Sequence, residues 1–305
     1  MPQTPRWTEI PKYPVIVGIG LLATAVTIAW WAGADISALF ASGYIRRGQI
    51  WRLFTAIFPH VDILHLAFNL YWLWIFGTVI ERVLGHTKTE LLIVLFAVGS
   101  TSLDFALDRG GVGLSGAGYG LFGLLWVLSA RDERFRDAMD QRTVKLFVGW
   151  FFFCIITTAS GVYPVANVAH AAGAILGILT GYAVTLPKYR LQISALIVAI
   201  FVFGIWGDTL GRPTVNLSTK VGYEEGKWGY DALIAGHNEE AVKWFHDAVK
   251  FRPKEPTYWF NLGIAYHRIG NLPAAMAAYR KAYQLEPSNS DYAKAAEADK
   301  VPSHP

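Results

Sequence analysis

The sequence predicts an all-α chain built as a polytopic membrane helical bundle, a six-helix core plus a seventh span, followed by a small α-solenoid. Three observations predict it. Of the 305 residues, 53% are hydrophobic and only 16% charged, against about 25% charged in an ordinary soluble domain. The shortage is uneven: residues 1–211 hold 15 Lys and Arg with 12 Asp and Glu, whereas 212–305 hold 12 and 11 in less than half the length. The tail also repeats itself at a period of 34. A single soluble domain is excluded.

Taken in order, residues 1–13 form a short N-terminal segment. Crossing the hydrocarbon core takes about 20 mostly apolar residues, and the stretches that qualify are 14–33, 63–84, 89–107, 114–130, 144–161, 166–186 and 191–211. The first is long for a signal peptide, lacks a convincing cleavage site and opens a series of spans, so it is expected to be retained. With the N-terminus inside, eleven basic residues fall in inside loops (Arg6, Lys12, Arg82, Lys88, Arg131, Arg134, Arg136, Arg142, Lys145, Lys188 and Arg190). Four fall outside: Arg46, Arg47, Arg52 and Arg109. The positive-inside rule therefore places the N-terminus in the cytoplasm, and seven spans place the tail on the other side. A multi-pass protein of a bacterial plasma membrane is expected. The net charge of +4 comes without the basic patch that phosphate binding needs, so nucleic acid is not an expected partner. Cys154 stands alone in an apolar run, which leaves neither a disulfide framework nor a thiolate metal cluster.

In the tail, Gly229 pairs with Gly263, Gly236 with Gly270, Ala241 with Ala275, Phe245 with Tyr279, Ala248 with Ala282 and Pro253 with Pro287. That period, with small residues at helix crossings and Pro at the repeat end, resembles the tetratricopeptide repeat. Two copies are expected at 222–255 and 256–289, the first with Trp228 at the usual Leu position, and a capping helix at 290–299. The domain limits are thus 1–13, 14–187, 188–211 and 212–305. The concave face of such a solenoid suits a protein or peptide ligand, with a rigid spacer or dimerisation module as the other reading. The repeats carry no catalytic pattern.

Polar groups within spans are costly and therefore candidates for function. The fourth span opens Gly113-Leu114-Ser115-Gly116, with Gly118, Tyr119 and Gly120 following. Glycines permit close approach to Ser115, and a helix N-terminus favours a developing negative charge. These are requirements of a nucleophile beside an oxyanion hole; a Gly/Ser packing seam fits the segment equally well. His170 precedes small residues at Gly173 and Gly177, and histidine has the pKa to activate a serine hydroxyl. His65 and Asn69, four apart, share one helix face and supply two neutral donors. All three places fall at one depth, on three spans.

With these motifs in this order, residues 14–187 resemble the rhomboid family of intramembrane serine proteases. The motifs are His65 to Asn69, Gly113 to Gly116 with Tyr119, and Ala169-His170 through Gly173 to Gly177; Trp51-Arg52 in the first loop and Glu81 near the end of the second span complete the set. The resemblance implies Ser115 as nucleophile and His170 as general base, a dyad without a carboxylate, so that neither Asp104 nor Asp62 is needed. It implies an oxyanion held by the Ser115 backbone N–H, His65 and Asn69, with Tyr119 packed on His170. Gly113, Gly116, Gly173 and Gly177 would support the site, and Trp51, Arg52 and Glu81 would be structural. The role of His60 is left open, with a loop-ordering hydrogen bond as the plainer reading. The implied substrates are membrane proteins with a single or unstable span, cut near its outer end. The fifth span and the loop around Gly161–Pro164 would be the gate.

No metal and no cofactor is expected. The HExxH pattern of a metalloprotease is missing, Asp104 has no motif-bearing aspartyl partner, and the inverted repeats of a transporter are not visible. The competing reading is a catalytically silent rhomboid-like protein that binds client spans, with the repeats as adaptor.

Overall fold

Each apolar stretch is helical in the computed structural model, which describes residues 7–218 and 221–297. The spans are α1 (Pro14–Trp31), α2 (Ile63–Leu84), α3 (His86–Leu107), α4 (Ser115–Arg131), α5 (Gln141–Ala159), α6 (Asn167–Thr185) and α7 (Pro187–Gly211). Six are long and apolar enough to cross a membrane; α4, the fourth of the seven expected spans, is the shorter one at 17 residues. At 1.5 Å per residue it is about 26 Å long, less than the roughly 30 Å hydrocarbon core, so its first residue, Ser115, can sit below one surface. The described residues contain no strand. The first residues of the N-terminal segment, Arg6 included, and positions 298–299 of the predicted capping helix lie outside the described residues.

Side-chain oxygens set the starts of several spans. Asp62 accepts from the His65 N–H at 2.8 Å to begin α2, and Asp140 from the Thr143 N–H at 2.7 Å to begin α5, as N-cap residues do. α1 begins with Pro14, whose missing N–H costs nothing there, but Tyr13 before it offers no side-chain cap. Glu81 supplies one from α2: its two oxygens accept from the Val15 and Ile16 N–H groups at 3.0 and 3.1 Å. Glu81 thus caps the first turn of α1 from across the bundle.

In the long loop after α1, Arg52 donates to the Ser37 and Phe40 carbonyls and to Gln49, closing the loop on itself. Trp51 beside it is half exposed. At the far end of the bundle sequence, buried Asp208 accepts from Ser102 at 2.6 Å, tying α7 to α3. Asn216 then donates to the Phe105, Ala106 and Asp108 carbonyls at the end of α3. Buried polar groups joined this way hold a span against its neighbour where lipid gives no hydrophobic drive.

Residues 218–305 are a second compact unit. Its helices are α8 (Tyr223–Ile234), α9 (Asn238–Phe251), α10 (Pro256–Arg268), α11 (Leu272–Leu285) and α12 (Ser290–Glu297). The 34-residue pairing is a pairing of contacts. A Cβ on Gly229 would fall 2.9 Å from the Phe245 ring, and one on Gly263 would fall 2.5 Å from Tyr279. Gly236 and Gly270 turn each helix pair at φ +77° and +78°, a conformation that favours glycine. Trp228 packs against Trp244 with ring centroids 5.0 Å apart and planes tilted by 55°, so an aromatic fills the place of the usual Leu.

Candidate active site

α4 and α6 cross at glycine. A Cβ on Gly173 would overlap the Gly116 carbonyl oxygen, and one on Gly177 the Gly120 carbonyl oxygen. Only hydrogen at these positions lets the two backbones touch. That contact brings the first residue of α4 beside the first turn of α6, and Ser115 Oγ lies 2.8 Å from His170 Nε2. The serine is half-buried and the imidazole buried.

A hydroxyl donating to Nε2 leaves the imidazole proton on Nδ1, and among the described residues no protein group bonds that atom. The ring is oriented by stacking instead. Tyr119 lies against it with centroids 4.6 Å apart and planes 25° apart, and the Tyr119 hydroxyl donates to the Phe147 carbonyl of α5 at 3.3 Å. Asp104 and Asp62 leave the pair alone, but both are in use. The Asp104 oxygens accept from the backbone N–H groups of Gly111 and Ala169. Asp62 accepts from His65 and from the Tyr163 hydroxyl.

The Gly113-Leu114 backbone is held from the first loop. The Gly113 N–H donates to the Ala56 carbonyl at 3.1 Å, and the Leu114 N–H donates to His60 Nε2 at 3.3 Å. His60 Nδ1 is 2.9 Å from the Phe58 carbonyl, so Nδ1 carries the ring proton and Nε2 is the acceptor. Burial pushes this imidazole down to about 4, which keeps that neutral tautomer. His60 therefore orders the turn immediately before Ser115; a lone histidine in a loop gives no spacing pattern that would reveal it.

Gly113 is forced twice over. Its φ is +107°, and a Cβ would lie 2.7 and 2.8 Å from Cε1 and Nε2 of His65. His65 is thus laid on the loop that leads to Ser115, its ring edge-on to His60 at 4.8 Å. Asn69 is buried and donates Nδ2 to the His65 carbonyl at 2.9 Å, which leaves its amide a second N–H. The first-turn N–H groups of α4, that of Ser115 among them, have no intrahelical acceptor. An anion formed next to Ser115 Oγ would meet backbone N–H and the positive end of the helix dipole.

Residues 47–187 match the family model of the rhomboid domain, and residues 227–290 match that of a tetratricopeptide repeat. Just under half of the chain thus fits the rhomboid-domain model. All the predicted site residues, from Trp51 to Gly177, lie within the matched range, while α1 and α7 flank it. The chain is also similar to the Rhomboid protease GlpG of Salmonella typhi, of Salmonella typhimurium and of Salmonella newport. Each is 29% identical over 179 residues, 56% of this chain and 59% of the relative. The match spans about three fifths of the length of these relatives. The bundle, with six helices long and apolar enough to cross a membrane, is accordingly a multi-pass membrane unit similar to the rhomboid domain, and the unit after it is similar to tetratricopeptide repeats.

Proposed function

We propose that the chain is an intramembrane serine endopeptidase of rhomboid type. The observation that carries this reading is the 2.8 Å contact between Ser115 Oγ and His170 Nε2, with the imidazole stacked on Tyr119. Ser115 Oγ attacks the scissile carbonyl carbon while its proton passes to His170 Nε2. The oxyanion so formed is held by the Ser115 N–H, His65 and the free N–H of Asn69. Collapse breaks the C–N bond, the imidazolium gives its proton to the leaving amine, and an ester on Ser115 remains. Water, deprotonated by His170, attacks the ester carbonyl carbon; the C–Oγ bond then breaks to release the new carboxylic acid, and the imidazolium returns its proton to Ser115 Oγ.

A peptide bond in a helix is shielded by its hydrogen bonds and side chains, so the substrate must unwind before attack. A membrane protein with a single or unstable span meets that need, cleaved near the end of the span that reaches the site. The positive-inside count puts that end outside the cytoplasm. Entry past α5 is favoured by its apolar outer face, on which Phe152, Phe153 and Ile156 are exposed. The repeat unit would recruit a protein or peptide ligand.

Labelling of the detergent-purified full chain with a fluorophosphonate probe tests the reading. Wild type is expected to take the label and both Ser115→Ala and His170→Ala to lose it while keeping their helical circular dichroism. A folded wild-type protein that stays unlabelled, beside a rhomboid protease that labels, would overturn the proposal and leave the client-binding reading in its place.

A further inference from the structure

The start of α6 has a gap in its own sequence. Its N-cap residue is Ala166, whose side chain can accept nothing, and alanine is among the poorest residues for that place. The N–H that an N-cap side chain would satisfy is the one on the third helical residue, Ala169, directly before His170. Asp104, near the end of α3 and 65 residues away in sequence, satisfies it: Oδ1 accepts from the Ala169 N–H at 3.2 Å. A carboxyl group there also faces the positive end of the α6 dipole.

The other oxygen does something different. Asp104 Oδ2 accepts from the Gly111 N–H at 2.6 Å. Gly111 belongs to the loop that leads through Gly113 to Ser115. The same residue is pressed against the start of α6, since a Cβ on Gly111 would overlap the Ala166 Cβ. One buried side chain therefore clasps both segments that deliver the reacting pair, one oxygen to each. The spans around it have other contacts, but the Gly111 loop and the first turn of α6 are joined through this group.

We propose that Asp104 is a positioning residue for the dyad, fixing the spacing of Ser115 and His170 from the backbone side without touching either. The inference rests on the protease reading. The ground-state fit is a matter of tenths of an ångström at the 2.8 Å contact, and a displacement of about 1 Å in such a pair can cost about a hundredfold in rate. Asp104→Asn keeps one acceptor oxygen and turns an NH2 towards the other N–H; Asp104→Ala loses both acceptors. Gly111→Ala leaves the carboxyl intact and pushes the loop off Ala166.

Full-length protein in detergent micelles is titrated with the fluorophosphonate probe, reading the final labelled fraction separately from the labelling rate constant. Positioning predicts an unchanged labelled fraction with a rate constant lowered about tenfold in Asp104→Asn and Gly111→Ala and about a hundredfold in Asp104→Ala. In cleavage of a model transmembrane substrate the same variants lower kcat and leave KM unchanged. A merely structural role lowers the labelled fraction while the surviving molecules react at the wild-type rate, and that result overturns the inference. So does a wild-type rate constant in all three variants, with the protease reading left standing. A wild-type protein that takes no label overturns the protease reading itself, and this inference with it.

Discussion

Gly177 and Gly118 stand on opposite sides of the glycine question. Gly177 has the Gly120 carbonyl oxygen where a methyl would go, whereas Gly118, in the first turns of α4, meets nothing within 4 Å. Gly177→Ala must therefore separate α4 from α6, and overpacking of a close contact costs about 1–3 kcal/mol. Gly118→Ala should instead stabilise by about 0.5–1 kcal/mol, the ordinary helix cost of glycine relative to alanine. Thermal unfolding in detergent checks both: the first variant melts below wild type and the second above it. The first should also lose label with the probe, because the crossing sets the Ser115–His170 distance. His60 belongs to the same scale. Its neutral ring accepts from Leu114 and donates to Phe58, an ordering task that no motif spacing announces.

At the scale of elements, the loop between α5 and α6 is fastened to the start of α2. The Tyr163 hydroxyl donates to Asp62 Oδ2 at 2.7 Å, and Asp62 is also the N-cap that begins the helix carrying His65 and Asn69. Both groups show it: the hydrogen bond from Tyr163, with the His65 N–H, lowers Asp62 below the usual carboxylate range, and burial together with Asp62 raises Tyr163 to about 12. A depressed folded-state value means the fastening is present above the ordinary carboxylate pKa and is lost as pH falls through the lowered one. Tyr163→Phe removes the donor and leaves the ring. If this loop gates the site, the variant should cleave a transmembrane substrate with a lower KM or a higher kcat at neutral pH while its fluorophosphonate-labelled fraction stays complete. Unaltered kinetics would assign the contact to loop order alone.

At the scale of the molecule, the chain has two compact units, 1–217 and 218–305, with different solvents and different cores. The repeat unit is built on buried aromatics against glycine, Phe245 on Gly229 and Tyr279 on Gly263. Truncating such an aromatic costs about 3–5 kcal/mol. Calorimetry of the full chain should therefore show two transitions, with Phe245→Ala lowering one and leaving the probe-labelling rate unchanged. One merged transition shifted as a whole by this variant would mean that the two units unfold as one. The linker leaves the bundle at a marked place: the Leu217 N–H donates to the Leu107 carbonyl, at the end of the helix that carries Asp104.

The sequence by itself determined the seven apolar helices, the repeat tail and the residue types that can make a reacting pair. These properties are local or periodic: apolar length, a 34-residue recurrence, and Ser115, His170 and Tyr119 in short motifs. The four-residue spacing of His65 and Asn69 was equally legible, although Asn69 spends one N–H on its own helix. Only the tertiary structure decided what Asp104, Asp62, His60 and Glu81 do at close range. Each works on a backbone group or side chain far away in sequence, as Asp104 does on Ala169 and Glu81 on Ile16. A carboxyl oxygen can cap any helix whose first turn comes within hydrogen-bond reach, and which helix that is depends on how the spans pack.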